Sequence, residues 1–148
     1  MKIDKWDSRF LELAKLVSTW SKDPSTKTGA VIVRPDRSVA SIGFNGFPVK
    51  MSDHQELYDN REEKYSRIIH CEMNALNFSQ DSNHEGYTLY TWPFLSCDRC
   101  FVYMVQAGIS RFVAPLATEE QLSRWGDKFE RVRGYARDCG VIIDEYEV

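Results

Sequence analysis

Four residues of this chain have types and spacing suited to metal-assisted hydrolysis: His70, Glu72, Cys97 and Cys100. Zinc takes imidazole nitrogen and thiolate sulfur, and a catalytic zinc uses three protein ligands and keeps its fourth position for water. Cys97 and Cys100 stand at i and i+3, which places both sulfurs on one side of a first helical turn. A helix start also suits them electrically, because its partial positive charge and a metal both favour the thiolate. Ser96 is placed to cap that helix. Glu72 is the carboxylate that takes and delivers the protons of a zinc-acidified water. It lies two residues from His70, and in mid-helix that spacing sends side chains to opposite faces. The two converge only if His70 stands at the very start of its helix.

Other chemistry for these residues is weaker. A closed structural zinc needs a fourth ligand, and Cys71, the nearest, diverges by about 100° from its neighbours on a helix. Cys139 and His84 lie in other segments and neither is favoured. A thioredoxin-like redox pair at Cys97 and Cys100 leaves His70 and Glu72 without a purpose.

The elements that must position these groups alternate between helix and strand patterns, which predicts a layered α/β domain. A helix is expected over residues 5–20, with Phe10, Leu13, Ala14 and Val17 on one face. Ala30–Val33 and Val39–Phe44 read as an antiparallel hairpin about the turn at Arg34–Arg37. The pattern breaks at Gly43–Pro48, and a charged, exposed helix follows over 55–68. A helix begins near His70, a strand covers Tyr87–Thr91, and a helical stripe of Phe101, Val102 and Val105 follows the cysteine pair. Phe112–Ala114 is a strand, Glu119–Asp138 a helix with a break expected at Gly126, and Val141–Ile143 a terminal strand. The helical crossovers between later strands require parallel neighbours.

Composition narrows the classes further. The 148 residues are 43% hydrophobic and 28% charged, the profile of one folded domain over residues 1–148. A net charge of −3 argues against holding nucleic acid by bulk charge. Apolar runs are too short to span a membrane, and the N-terminus lacks a signal-peptide stretch, so a cytoplasmic location is expected. Four cysteines are too few for a small disulfide scaffold.

The His70-Cys71-Glu72 and Cys97-Asp98-Arg99-Cys100 pattern is the known signature of zinc deaminases acting on cytosine or adenine. Together with Lys27–Val33, Gly43–Pro48, Met73–Leu76 and Gln106–Ile109, it makes the chain resemble the deoxycytidylate (dCMP) deaminase family of the zinc-dependent cytidine deaminase superfamily. The resemblance implies a three-layer α/β/α cytidine deaminase-like fold on a five-stranded mixed sheet. It implies hydrolysis of dCMP to dUMP and ammonia, with zinc on His70, Cys97 and Cys100 and with Glu72 protonating N3. Asn45 matches a substrate-contacting asparagine, and Trp92 or Tyr90 are candidates to stack on the base, although core burial is the better explanation for each. Phe44, Asn45 and Gly46 match a turn at which dCTP activates and dTTP inhibits, with Mg2+ accompanying a bound triphosphate, in a homo-oligomer that is commonly a hexamer. Lys22, Ser25, Thr26 and Lys27 form a loop that could hold a phosphate or simply be solvated.

The chain also departs from the family pattern. Ser96 stands where the family usually has proline, Cys71 where it has alanine, and Val49 and Lys50 follow Pro48 where a second glycine is common. No cysteine lies between Pro48 and Ile69, so one zinc per subunit is expected. The competing expectations are a deaminase that also accepts dCTP, a deaminase of bases in nucleic acid, and a non-enzymatic zinc module. Glu72 speaks against the last, since a purely structural site has no use for it.

Overall fold

The computed structural model describes residues 2–148. Helix α1 (Lys5–Ser18) opens on Asp4, whose carboxylate accepts the N–H groups of Trp6 and Asp7 and so satisfies two of the free donors of a helix start. It ends at Ser18 rather than Trp20. There the Ser18 and Thr19 hydroxyls donate back to the Lys15 and Leu16 carbonyls, an alternative to continuing the helix. Strands β1 (Gly29–Val33) and β2 (Val39–Phe44) form the expected antiparallel hairpin.

The single helix expected over 55–68 is two short ones, α2 (Gln55–Asp59) and α3 (Arg61–Arg67). Asn60 between them is extended, and its side chain accepts the Glu63 N–H, so a capping residue divides the charged segment. Helix α4 (Cys71–Phe78), strand β3 (Thr88–Trp92), helix α5 (Asp98–Gln106), strand β4 (Arg111–Pro115), helix α6 (Glu119–Cys139) and strand β5 (Ile142–Tyr146) complete the chain. Helix α6 runs through Gly126 without the expected break. A capping box between Thr118 and Gln121 starts it, and burial of Phe129, Val132 and Ala136 holds it. That burial outweighs the roughly 1 kcal/mol a mid-helix glycine costs.

The sheet order is β2-β1-β3-β4-β5. Strand β1 is antiparallel to β2 and β3, while β3, β4 and β5 are parallel and joined by the crossover helices α5 and α6, so the five-stranded sheet is mixed as expected. Side chains alternate across it. Ala30, Ile32, Leu89, Phe112 and Ala114 face a core built with α4, α5 and α6. Val31, Val33, Tyr90 and Val113 face α1 through Phe10, Leu11 and Ala14. Helices therefore cover both faces, in three layers. Asp7 of α1 locks its layer to three strands. It accepts from Tyr90 and Tyr146 hydroxyls at 2.7 and 2.9 Å and from the Arg111 guanidinium at 2.9 and 2.6 Å.

Helix α4 lies very close to the hairpin. A Cβ at Gly43 would sit 2.4 Å from the Ala75 nitrogen and 2.5 Å from the Cys71 oxygen. Only a residue without a side chain allows that approach.

Candidate functional site

The geometry required of His70 is present. It is the N-cap of α4, with φ −68° and ψ 155°, and helical geometry begins at Cys71. The entering chain is fixed by a two-way bridge in which Gly46 N–H donates to the Ile69 carbonyl and Ile69 N–H to the Gly46 carbonyl. Asn74 of α4 adds a bond from its amide to the Phe44 carbonyl at 2.8 Å. The glycine turn thus sets where the histidine enters the site.

The opposite side of the site comes from the loop after β3 and the start of α5. Here the cap differs from expectation: Cys97, not Ser96, is the N-cap, and its sulfur accepts the Cys100 N–H. A thiolate acceptor at a helix start gains from the same partial charge that favours a carboxylate there. His70 Nδ1 lies 3.4 Å from Cys97 Sγ and 3.3 Å from Cys100 Sγ. The three donor atoms all lie within 4.8 Å of one another. Bond lengths of about 2.0–2.3 Å in a tetrahedron place nitrogen and sulfur ligands about 3.5 Å apart, so the donor set and its spacing fit zinc. Bonds from Cys100 and His70 bring the Cys97 thiol down, and the Cys97 partner raises His70 and pushes Cys100 upward.

Glu72 is buried beside this trio. Ser96 Oγ donates to its Oε2 at 2.5 Å, and Cys71 Sγ to its Oε1 at 2.7 Å. Burial and the adjacent Glu72 push the Cys71 thiol up, and its sulfur, turned to Glu72, is not among the three gathered donors.

His70, Glu72 and Cys97 line a cavity of about 460 Å³, within the range of small-molecule sites. Asn45 and Ser25 line it as well. The Asn45 side chain also holds the Ser21–Thr28 loop, accepting the Thr28 N–H and donating to the Thr26 carbonyl and Asp23. The structure does not bring Lys22 or Lys27 to the cavity. Lys22 pairs with Asp53 at 2.9 Å, and Lys27 donates to the Ser21 carbonyl at 2.5 Å. Nor does Tyr90 reach it, since its position in β3 turns it to Asp7 on the other face of the sheet, whereas Trp92 does line the cavity. Phe44 and Gly46 line a separate hollow of about 300 Å³ with Phe47, Pro48 and Phe78.

Several cavity residues had no signal strong enough to single them out in the sequence. Arg61, Arg124 and Lys128 line the cavity and belong to no ion pair among the described residues. Lys64 lines it too, but is committed to Asp23 at 3.1 Å. Trp125 packs on Phe94 with ring centres 5.0 Å apart and lines the same wall. Only the i, i+4 spacing of Arg124 and Lys128 on α6 hints at a shared face.

Comparison with known proteins agrees with this arrangement. A deaminase from Aliivibrio fischeri, described as uncharacterized and found in the luxG 3' region, is 42% identical over 141 residues, covering 95% of this chain and 93% of that protein. Human deoxycytidylate deaminase is 31% identical over 114 residues, 74% of this chain and 64% of the human protein. A probable deoxycytidylate deaminase of Caenorhabditis elegans is 34% identical over 72% of this chain and 55% of its own length. The chain thus spans between about half and two thirds of these two relatives. Among solved structures, dCMP deaminase from the cyanophage S-TIM5, in complex with dCMP and dUMP, superposes with a TM-score of 0.74 at 22% identity, over 98% of this chain and 99% of that one, which shows the shared fold. The profile of the cytidine and deoxycytidylate deaminase zinc-binding region matches residues 4–116, and the chain belongs to that family.

Proposed function

We propose that this chain is a zinc-dependent hydrolase that converts dCMP and water to dUMP and ammonia. The observation that carries this reading is one cavity lined by His70 and Cys97 of the donor trio, the buried Glu72 carboxylate and three cations without carboxylate partners. His70, Cys97 and Cys100 would hold the zinc, which would supply Lewis-acid activation of water when bound.

The remaining work falls to the chain. Glu72 takes one proton of the attacking water and delivers it to N3 as the C4–O bond forms; it then takes the second from the new C4 hydroxyl and passes it to the amine as the C4–N bond breaks and the carbonyl forms. Its bonds from Ser96 and Cys71 hold the carboxylate in place through these transfers. Asn45, fixed by the loop it anchors, presents a rigid cavity edge to the sugar. Arg61, Arg124 and Lys128 supply the charge for a phosphate, and Ser25 is a neutral partner at the same wall. Phe94 and Trp125 give the base an apolar wall. A net charge of −3 favours a free nucleotide over a polymer.

The family resemblance extends the proposal to regulation. dCTP with Mg2+ as activator and dTTP as inhibitor would act at the hollow beside Phe44 and Gly46, whose bridge to Ile69 leads directly to His70. A homo-oligomer, as a hexamer, belongs to the same proposal. No described helix is long and apolar enough to cross a membrane. The test is ammonia release by purified zinc-loaded protein from dCMP, dCTP, deoxycytidine and single-stranded DNA, with and without dCTP or dTTP as effector. Turnover greatest with dCMP supports the reading, and turnover confined to deoxycytidine or DNA overturns it. A dCMP rate unmoved by either effector removes the regulatory part.

A further inference from the structure

Ser96, like Cys71, departs from the family pattern and touches the proposed proton carrier. Proline, the usual residue there, has neither an N–H nor an O–H to offer. Here the hydroxyl is buried, with Ser96 2% exposed, and donates to Glu72 Oε2 at 2.5 Å. Ser96 does not itself line the cavity, so it stands behind the carboxylate rather than beside a substrate. It is not the helix cap either, because Cys97 performs that role.

We propose that Ser96 is a positioning residue that acts through Glu72. This rests on the deaminase reading above. A carboxylate that receives and returns a proton within one turnover must keep one orientation in both its charged and neutral forms. A hydroxyl suits that task because it both donates and accepts. It donates to the carboxylate, and it rotates to accept once that oxygen is protonated. Cys71 offers the other carboxylate oxygen only a weak thiol donor, so the stronger restraint comes from Ser96. A buried, charge-assisted bond of this kind is stronger than a neutral one, and its loss frees the carboxylate to turn.

The test compares Ser96→Ala and Ser96→Thr with the wild type, all zinc-loaded. The readouts are kcat and KM for dCMP, zinc per chain by metal analysis, and urea unfolding. The Ala variant is expected to lose about 10- to 100-fold in kcat, with KM within about threefold and one zinc retained. The Thr variant keeps the hydroxyl and is expected to recover most of the rate. An Ala variant with wild-type kcat overturns the inference. So does loss of zinc or of the fold in step with kcat in both variants, which would make Ser96 a support of the metal loop. A wild type inactive on dCMP overturns the deaminase reading and this inference together, whereas an active wild type with an unimpaired Ala variant overturns only the role of Ser96.

Discussion

Replacing Gly43 by alanine should disable the site without altering any residue that lines the main cavity. The new Cβ meets the Ala75 nitrogen at 2.4 Å and the Cys71 oxygen at 2.5 Å, whereas ordinary contact begins at about 3.4 Å. Both atoms are α4 backbone and cannot rotate away, so the helix must retreat from β2 by about 1 Å. His70 caps this helix and Glu72 lies in its first turn, whereas the thiolates enter from α5. The retreat therefore separates the imidazole and the carboxylate from the sulfurs. Overpacking of this kind costs about 1–3 kcal/mol, and a 1 Å misplacement of a catalytic group costs about 100-fold in rate. The expected result is an unfolding free energy in urea lowered by that amount, a zinc content below one per chain, and kcat reduced about 100-fold or more. Gly29→Ala is the control. Its Cβ would meet the Ala14 oxygen at 2.2 Å and the Ser18 nitrogen at 2.7 Å, both in α1 on the opposite face of the sheet. That variant should lose comparable stability and keep its zinc. Wild-type zinc and rate in Gly43→Ala would refute the reasoning, as would equal loss of zinc in Gly29→Ala.

Other outcomes follow from the same geometry. Glu72→Gln should bind zinc normally yet release ammonia from dCMP at least about 100-fold more slowly, as measured by single-turnover assay. Cys97→Ser should lower zinc per chain and, through the lost sulfur cap, loosen the start of α5, read by metal analysis and hydrogen exchange. Asp7→Asn should cost about 2 kcal/mol in urea unfolding, because it removes the charge that Arg111 faces while leaving Asp144 as a partner. Burial pushes the Asp7 carboxyl up, but bonds from Arg111, Tyr90 and Tyr146 outweigh it and hold it below its ordinary value. Its folded pKa is thus depressed, so its contribution is complete above the unfolded value of about 3.9 and vanishes as pH falls through the folded one. The wild type's advantage over Asp7→Asn should accordingly be constant near neutrality and shrink below about pH 4.

Some of the protein was determined by sequence alone because the physics is local. A short apolar run and its turn marked the hairpin, helical hydrophobic spacing marked the helices, and crossover length required parallel strands, since antiparallel neighbours need only a short turn. The His70–Glu72 spacing even predicted its own condition, that histidine stand at a helix start, which is where it lies. Tertiary contact decided the rest. Whether Gly126 breaks α6 depends on what its neighbours bury against the sheet, not on glycine propensity. Tyr90 and Trp92 share a strand and a parity and both pack on the α1 side, yet only Trp92, at the end of β3, also borders the cavity. Lys22 and Lys27 look like a phosphate loop in sequence but find partners in Asp53 and the Ser21 carbonyl. The cations at the cavity come instead from α3 and α6, on opposite sides of the zinc motif in sequence. Ser96 could be read only as a cap until the fold placed Glu72 from another helix within reach of its hydroxyl. A single chain position carries residue type and local periodicity, whereas a charge or hydroxyl takes its meaning from whichever group the packed layers bring opposite it.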